Sequence, residues 1–194
     1  MRNRIVSFVS PHSKILDLGC GNGELLGYLK EHKHVKGYGI DYKFEHILEC
    51  TKRGISSFQG NIDEGLKEFS DQSYDYVILS LTLQQVQKPL YVLRELIRVG
   101  KKVVVTFPNF GYWRIRFQAL LGHAPQTKIL PYEWYDTPNI RIITISDFKL
   151  LCKEEKIRII KEVPRYPFSI FNITGTGLSN LFSLKGIFVL EKLP

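Results

Sequence analysis

Ile15-Leu16-Asp17-Leu18-Gly19-Cys20-Gly21-Asn22-Gly23 joins a short apolar run to three alternate glycines, with an acid just ahead of them. An apolar run of this length, closed by turn residues, reads as a buried β-strand. The first glycine permits a tight turn, the second lets backbone approach a ligand with no Cβ in the way, and the third lets the following helix pack closely. Glu24-Leu25-Leu26-Gly27-Tyr28-Leu29 reads as that helix, since its apolar positions recur at three- and four-residue intervals. A nucleotide-type ligand at the end of a first strand is the chemistry such a turn serves.

The spacing narrows this further. A dinucleotide fingerprint, G-x-G-x-x-G, needs glycine where Glu24 stands. The chain has G-x-G-x-G preceded by Asp17, which resembles motif I of the class I S-adenosylmethionine (SAM) methyltransferases. Taken alone, a plain strand-to-helix turn explains these glycines equally well, so the neighbouring segments decide.

Val35-Lys36-Gly37-Tyr38-Gly39-Ile40-Asp41 reads as a second strand ending in a carboxylate, about 20 residues beyond the glycine turn, where a ribose-binding acid is expected. A lone aspartate at a strand end is otherwise a common solvated acid. Ile55-Ser56-Ser57-Phe58-Gln59 reads as a third strand, followed by Gly60-Asn61-Ile62-Asp63. The resemblance implies at this turn an acid that accepts from the adenine amino group. Asn61 stands there instead, and its amide oxygen accepts without charge, with Ile62 placed to pack on the adenine face. Tyr74-Asp75-Tyr76-Val77-Ile78-Leu79-Ser80 resembles the family's strand that begins with an aromatic-aspartate pair, and its near-continuous apolar run suits a strand buried on both faces.

The chain has 194 residues, enough for one α/β domain over 1–194 with a substantial core. Hydrophobic content of 44% and charged content of 24% are ordinary for a globular protein. No apolar run approaches the ~20 residues that span a bilayer, and Met1-Arg2-Asn3-Arg4-Ile5-Val6 lacks a long apolar segment and a cleavage site. No membrane association is expected, and the location expected is cytoplasmic. Cys20, Cys50 and Cys152 are widely spaced and form no metal-ligand pattern; the first reads as a small turn residue and the others as buried apolar groups. No histidine pairs with an acid or cysteine in a pattern for nucleophilic catalysis. The net charge of +8 is dispersed, with no interleaved aromatics of a nucleic-acid surface, and Arg98-Val99-Gly100-Lys101-Lys102 reads as a solvated helix end. No nucleic-acid partner is expected, and the pattern carries no signal for oligomeric state.

Strands and helices alternate through the first hundred residues, as in a parallel sheet with right-handed crossovers. Leu90 to Arg98 has helical spacing after Pro89, and Lys102 to Phe107 reads as a fifth strand closed by Pro108. The pattern then breaks into an aromatic-rich insertion at 109–141, holding Tyr112, Trp113, Phe117, Tyr132, Trp134 and Tyr135 among several prolines. It lies beyond the carboxyl end of a strand, the side where open α/β sheets bind ligands. It either caps a substrate pocket, offers a surface to a partner, or completes the core. Ser146 is the N-cap candidate of a helix running to Cys152; Arg158 to Val163 and Gly186 to Glu191 read as the last two strands, joined as a hairpin through a loop over 169–184. The fold expected is α/β: a Rossmann-like, seven-stranded class I methyltransferase sandwich, mostly parallel with one antiparallel strand.

Several unusual stretches narrow the resemblance: Asp17 to Leu26, Gln59 to Leu66, Ile78 to Gln84, Phe107-Pro108-Asn109-Phe110-Gly111-Tyr112-Trp113, and Leu130-Pro131-Tyr132-Glu133-Trp134-Tyr135-Asp136-Thr137-Pro138-Asn139-Ile140. Together they resemble the methionine biosynthesis protein MetW family across nearly the whole chain, the last two being its specific segments. That resemblance implies a SAM-binding fold associated with methionine synthesis, acting with homoserine O-acyltransferase. The candidate contacts for SAM or S-adenosylhomocysteine (SAH) are Asp17, Gly19, Cys20 and Gly21 around the methionine moiety, Asp41 at the ribose, Asn61 and Ile62 at adenine, and Leu79 and Ser80 behind the sulfonium. No metal site and no catalytic residue is assigned. Many small-molecule methyltransferases carry histidine where Gln84 and Gln85 stand, and glutamine is no general base at neutral pH. A SAM-responsive partner of the acyltransferase leads, and a small-molecule methyltransferase with Tyr112, Tyr132 or Tyr135 orienting its acceptor is the rival. A partner protein that has lost cofactor affinity at Asn61 is the third reading.

Overall fold

A strand with a near-continuous apolar run must be covered on both sides, and the run within Tyr74–Ser80 lies mid-sheet. The computed structural model describes residues 2–163 and 178–193. Its strands are β1 (Lys14–Leu18), β2 (Lys36–Asp41), β3 (Ser56–Gln59), β4 (Tyr74–Ser80), β5 (Gly100–Pro108), β6 (Ile157–Glu162) and β7 (Lys185–Lys192). They form one seven-stranded sheet in the order β3-β2-β1-β4-β5-β7-β6. The first five pair in parallel, and β7 runs antiparallel between β5 and β6. This is the sheet the sequence pattern led to.

Period-two alternation divides the apolar side chains between two layers. Ile15, Tyr76, Ile78, Val104 and Val189 face Leu26 and Leu29 of α2 (Glu24–Lys33), Cys50 of α3 (Phe44–Lys52) and Ile5 of α1 (Arg2–Phe8). Leu16, Leu18, Val77, Leu79, Val103 and Val105 face Leu93 and Leu96 of α4 (Pro89–Val99) and Phe148 of α6 (Ile145–Glu154). The insertion contributes α5 (Trp113–Leu120), and α7 (Ser179–Phe182) precedes β7.

Four local readings change. Helix α1 was not foreseen: seven residues are too few to show a clear period, yet Ile5 is fully buried against the sheet. The cap of α6 is Thr144 rather than Ser146, its Oγ1 accepting from Asp147 N at 3.1 Å. Arg98 is half-buried and bonded as well as solvated: it donates to Glu95, Asp71 and the carbonyls of Leu66 and Phe69, tying the 66–71 segment to α4. Of the expected 169–184 loop, 169–177 lies outside the described residues, and the rest contains α7.

Asn109, fully buried at the end of β5, joins three segments. Its Nδ2 donates to the carbonyls of Asn180 (2.8 Å) and Ser183 (2.7 Å), and its Oδ1 accepts from the amides of Gly111 (3.0 Å) and Ile145 (3.2 Å). An amide is the only side chain of this size that donates twice and accepts twice. Asn109→Asp keeps the shape but sets a carboxylate oxygen against two carbonyl oxygens. We predict a loss of about 3 kcal/mol at pH 7. Because the buried acid's pKa would be raised, the loss shrinks as pH falls and the acid takes a proton. Urea unfolding of both proteins at pH 7 and pH 4.5 checks this, and equal losses at both would refute the account.

Candidate functional site

Beyond β1 the backbone turns through positive φ at Gly19 (69°), Gly21 (55°) and Gly23 (75°), conformations that a Cβ makes costly. The amides of Gly19 and Cys20 both donate to the Ile40 carbonyl, at 2.8 and 3.0 Å, folding the turn onto the end of β2. The three glycines then serve different needs. A Cβ on Gly19 would stand 2.5 Å from Thr82 Oγ1, and one on Gly23 would stand 2.8 Å from Cys50 Sγ. The third glycine therefore admits α3 rather than its own helix. A Cβ on Gly21 would meet nothing within 4 Å, so this backbone faces open space where a ligand can approach.

Asp17, the acid ahead of the turn, is 2% exposed, and its Oδ1 has no hydrogen-bond partner among the described residues. Burial, followed by the negative charge of Asp41, lifts its pKa from the ordinary 3.8 to about 8. Asp17 thus holds a proton at neutral pH in this arrangement. A cation beside it would reverse both the desolvation cost and the repulsion.

Asp41 ends β2 and is itself buried. Its Oδ2 accepts from Gly21 N (2.8 Å), while Oδ1 accepts from Lys43 N (3.0 Å) and His46 Nδ1 (2.8 Å). His46 is therefore a histidine paired with an acid, which sequence reading missed. The separation of five residues across a strand end and a helix start gives no local pattern to read.

The thiols of Cys20 and Cys50 both point at the Gly21 carbonyl, and their sulfurs lie 3.9 Å apart. Burial and the nearby Asp17 push the Cys20 thiol pKa up, so it packs as a small neutral group. Among the described residues no cluster of His, Cys, Asp and Glu could hold a metal.

After β3, Asn61 is exposed and its Oδ1 accepts from Asp63 N (3.1 Å), capping a short 3-10 turn over Ile62–Glu64. Ile62 packs against the main core. Asp63 accepts from the amides of Gln87 (3.1 Å) and Lys88 (2.7 Å), linking this turn to the segment after β4.

Leu79 is fully buried in the core, and Ser80 Oγ lies 3.3 Å from Thr106 Oγ1. Next comes Leu81 at φ 58°, a strained conformation for a residue with a branched side chain, held by its amide to the Thr106 carbonyl at 2.9 Å. Gln84 is 3% exposed; its Nε2 donates to the Leu81 carbonyl at 2.6 Å, and its own carbonyl accepts from the amides of Ile140 (2.9 Å) and Arg141 (3.0 Å). Sequence reading took Gln84 as a missing base, whereas in the fold it pins the insertion to the rim of β4.

The insertion is partly core and partly surface. Tyr112, Ile115 and Leu130 form a small buried cluster, while Trp113, Phe117, Trp134 and Tyr135 are exposed. A cleft of about 580 Å³ runs within it, lined by Phe110, Gln118, Tyr132, Glu133, Trp134 and Arg141 among others. Of the three tyrosines proposed for an acceptor, Tyr132 alone lines this cleft.

The sheet order and the glycine turn define a class I methyltransferase-type domain. Two solved structures share it: a SAM-dependent methyltransferase from Mesorhizobium loti (TM-score 0.71, 15% identity, covering 98% of this chain and 96% of that one) and another from Archaeoglobus fulgidus (0.69, 17%, 98% and 90%). At that identity the likeness is one of fold. The chain belongs to the family described as "Methionine biosynthesis protein MetW", whose profile matches residues 2–190. It is 34% identical over 169 residues to the "Bifunctional methionine biosynthesis protein MetXA/MetW" of Rhodopirellula baltica, a match covering 82% of this chain but only 27% of that protein. It is 24% identical over 177 residues to the carboxy-S-adenosyl-L-methionine synthase of Campylobacter lari, covering 76% of this chain and 74% of the other. Among the described residues no helix is long and apolar enough to cross a membrane.

The Asp17 environment yields a pH prediction. Its folded pKa lies above the ordinary value, so its contribution to stability is whole below about pH 4 and is lost as pH rises to 8. Asp17→Asn removes that titration. Measured by urea unfolding without ligand, the variant should gain on the wild type steadily from pH 5 to pH 8. Parallel profiles would contradict the buried, unpartnered state.

Proposed function

We propose that this chain binds SAM or SAH at the carboxyl rim of its sheet and supports methionine biosynthesis by contacting homoserine O-acyltransferase. The observation that carries the first half is the buried Oδ1 of Asp17, without a partner among the described residues, beneath a turn whose middle glycine faces open space. When bound, SAM supplies an α-ammonium, a sulfonium-linked methyl group and an adenosyl moiety. Asp17 would give up its proton and accept from the ammonium, a charge-assisted bond that the buried site strengthens. Gly19, Cys20 and Gly21 would line the methionine moiety, and Asp41 would accept from the ribose. Ile62 would pack on adenine with Asn61 at its edge, and Leu79 and Ser80 would stand behind the sulfonium. Asn61 already caps its turn, so its oxygen would serve adenine through its second lone pair.

Two observations support the partner half. The Rhodopirellula relative's name joins MetXA to MetW in one chain, and fusion raises the effective concentration of two parts that act together. The insertion also leaves Trp113, Phe117, Trp134 and Tyr135 exposed, the residue types that anchor protein interfaces. Ligand occupancy would then report methionine status, since SAM is made from methionine. The three free cysteines, all buried, suit a reducing cytoplasmic location.

The rival methyltransferase reading is favoured by the cleft in the insertion, whose volume suits a small acceptor. Such a reaction would rest on alignment at near-attack distance, with an acceptor already nucleophilic, since no base is placed at the rim by Gln84 or Gln85.

Calorimetric titration should show SAM and SAH binding that Asp41→Ala abolishes and Asp17→Asn weakens by about ten-fold, the worth of one charge-assisted hydrogen bond. Co-purification with the acyltransferase and no methyl transfer from labelled SAM to a cell extract would uphold the partner reading. A labelled small molecule would replace it with the rival.

A further inference from the structure

Asp41 is over-subscribed for the role given to it above. An ionised carboxylate has about four acceptor positions, two on each oxygen. Lys43 N and His46 Nδ1 occupy both positions on Oδ1, and Gly21 N occupies one on Oδ2. Among the described residues nothing fills the remaining position, on a side chain only 10% exposed. A ribose cis-diol donates twice. One of the three present donors must therefore leave before both hydroxyls can be accepted.

The three donors are not equally free to go. Gly21 N is fixed by the positive-φ turn and by the bonds of the two preceding amides, Gly19 and Cys20, to the Ile40 carbonyl. Lys43 N sits at the N-cap of α3, where its carbonyl already accepts from His46 N at 3.1 Å. His46 is different, because its imidazole hangs from the first turn of α3, is 38% exposed, and needs only a side-chain rotation to reach solvent. A carboxylate only accepts, so Nδ1 carries the proton in this contact.

We propose that His46 is a latch on the ribose-binding carboxylate: it holds Asp41 in the ligand-free chain and is displaced by the ribose diol on binding. The proposal rests on the reading of Asp41 as the ribose acceptor. It gives the site a feature that a pre-formed pocket lacks, since the ligand must break one charge-assisted hydrogen bond to make two. The bond does useful work before that, holding the carboxylate in the orientation that receives Gly21 N. Affinity is the quantity set by the exchange, and the latch lowers it.

The sign of a single substitution tests this. Calorimetry on the whole chain with SAH, adenosine and 2′,3′-dideoxyadenosine should show His46→Ala binding SAH and adenosine about five-fold more tightly than wild type, the scale of one hydrogen bond lost against water. Dideoxyadenosine, which has no diol to exchange, should bind both proteins alike. His46→Gln, which keeps a donor on a flexible stem, should stay near wild type, and matched thermal melts would confirm that both variants fold. Weaker or unchanged SAH binding by His46→Ala overturns the latch while leaving the adenosyl reading intact. So does an equal gain for dideoxyadenosine, which would mean a general loosening of the rim. If wild type, Asp41→Ala and His46→Ala all fail to bind SAH, the adenosyl reading falls and the latch falls with it.

Discussion

The bond from the Gly21 amide to the Asp41 carboxylate fixes the geometry of the whole carboxyl rim. It runs between two strand ends, so it couples the turn after β1 to the close of β2 where the sheet's own hydrogen bonds have stopped. Three positive-φ glycines would otherwise leave the turn free to sample many conformations, and glycine carries the largest entropic cost of being fixed. A charged acceptor in a buried setting offsets that cost better than a neutral one. The paired amides of Gly19 and Cys20 on the Ile40 carbonyl complete the stitching.

That stitching puts two acids close together in a place poor in water. Asp41 is met by three donors, whereas Asp17 has an oxygen that none of the described residues reaches. Burial, followed by the negative charge of Asp41, keeps the proton on Asp17. Such an arrangement is costly for stability alone and becomes favourable once a cation arrives. Strain at Leu81 on the neighbouring strand end fits the same account, because a rim held by several hydrogen bonds can keep a residue in a conformation it would leave in isolation.

The insertion draws on the same economy of polar contacts. Asn109 ties its start to α6 and α7, and the Gln84 carbonyl ties its end to the rim of β4. Between these anchors the chain buries only a small apolar cluster and leaves large aromatics outside. The segment after β4 and the end of the insertion are therefore joined directly by backbone hydrogen bonds.

The near-continuous apolar runs of β1, β4 and β5 were legible because burial on both faces demands them, and the glycine turn was legible because glycine adopts positive φ at the least cost. Asp17 and Asp41 could be marked from their spacing to that turn. Helix α1 was not legible because seven residues show no clear period, the Thr144 cap because Ser146 offers the same capping chemistry two residues on, and the bonding of Arg98 because most of its acceptors, at 66–71, are distant in sequence. Three of the four bonds of Asn109 and the pivot at Gln84 likewise need distant chain, and the histidine on Asp41, five residues away, needs a strand end to meet a helix start. Sequence by itself determined the strand and helix alternation, the sheet type and the family, because these follow from local period and from residue types with few conformational choices. Tertiary structure alone decided which donors each acid receives, because hydrogen bonds and burial are set by proximity in space, and a chain's local pattern carries no record of that.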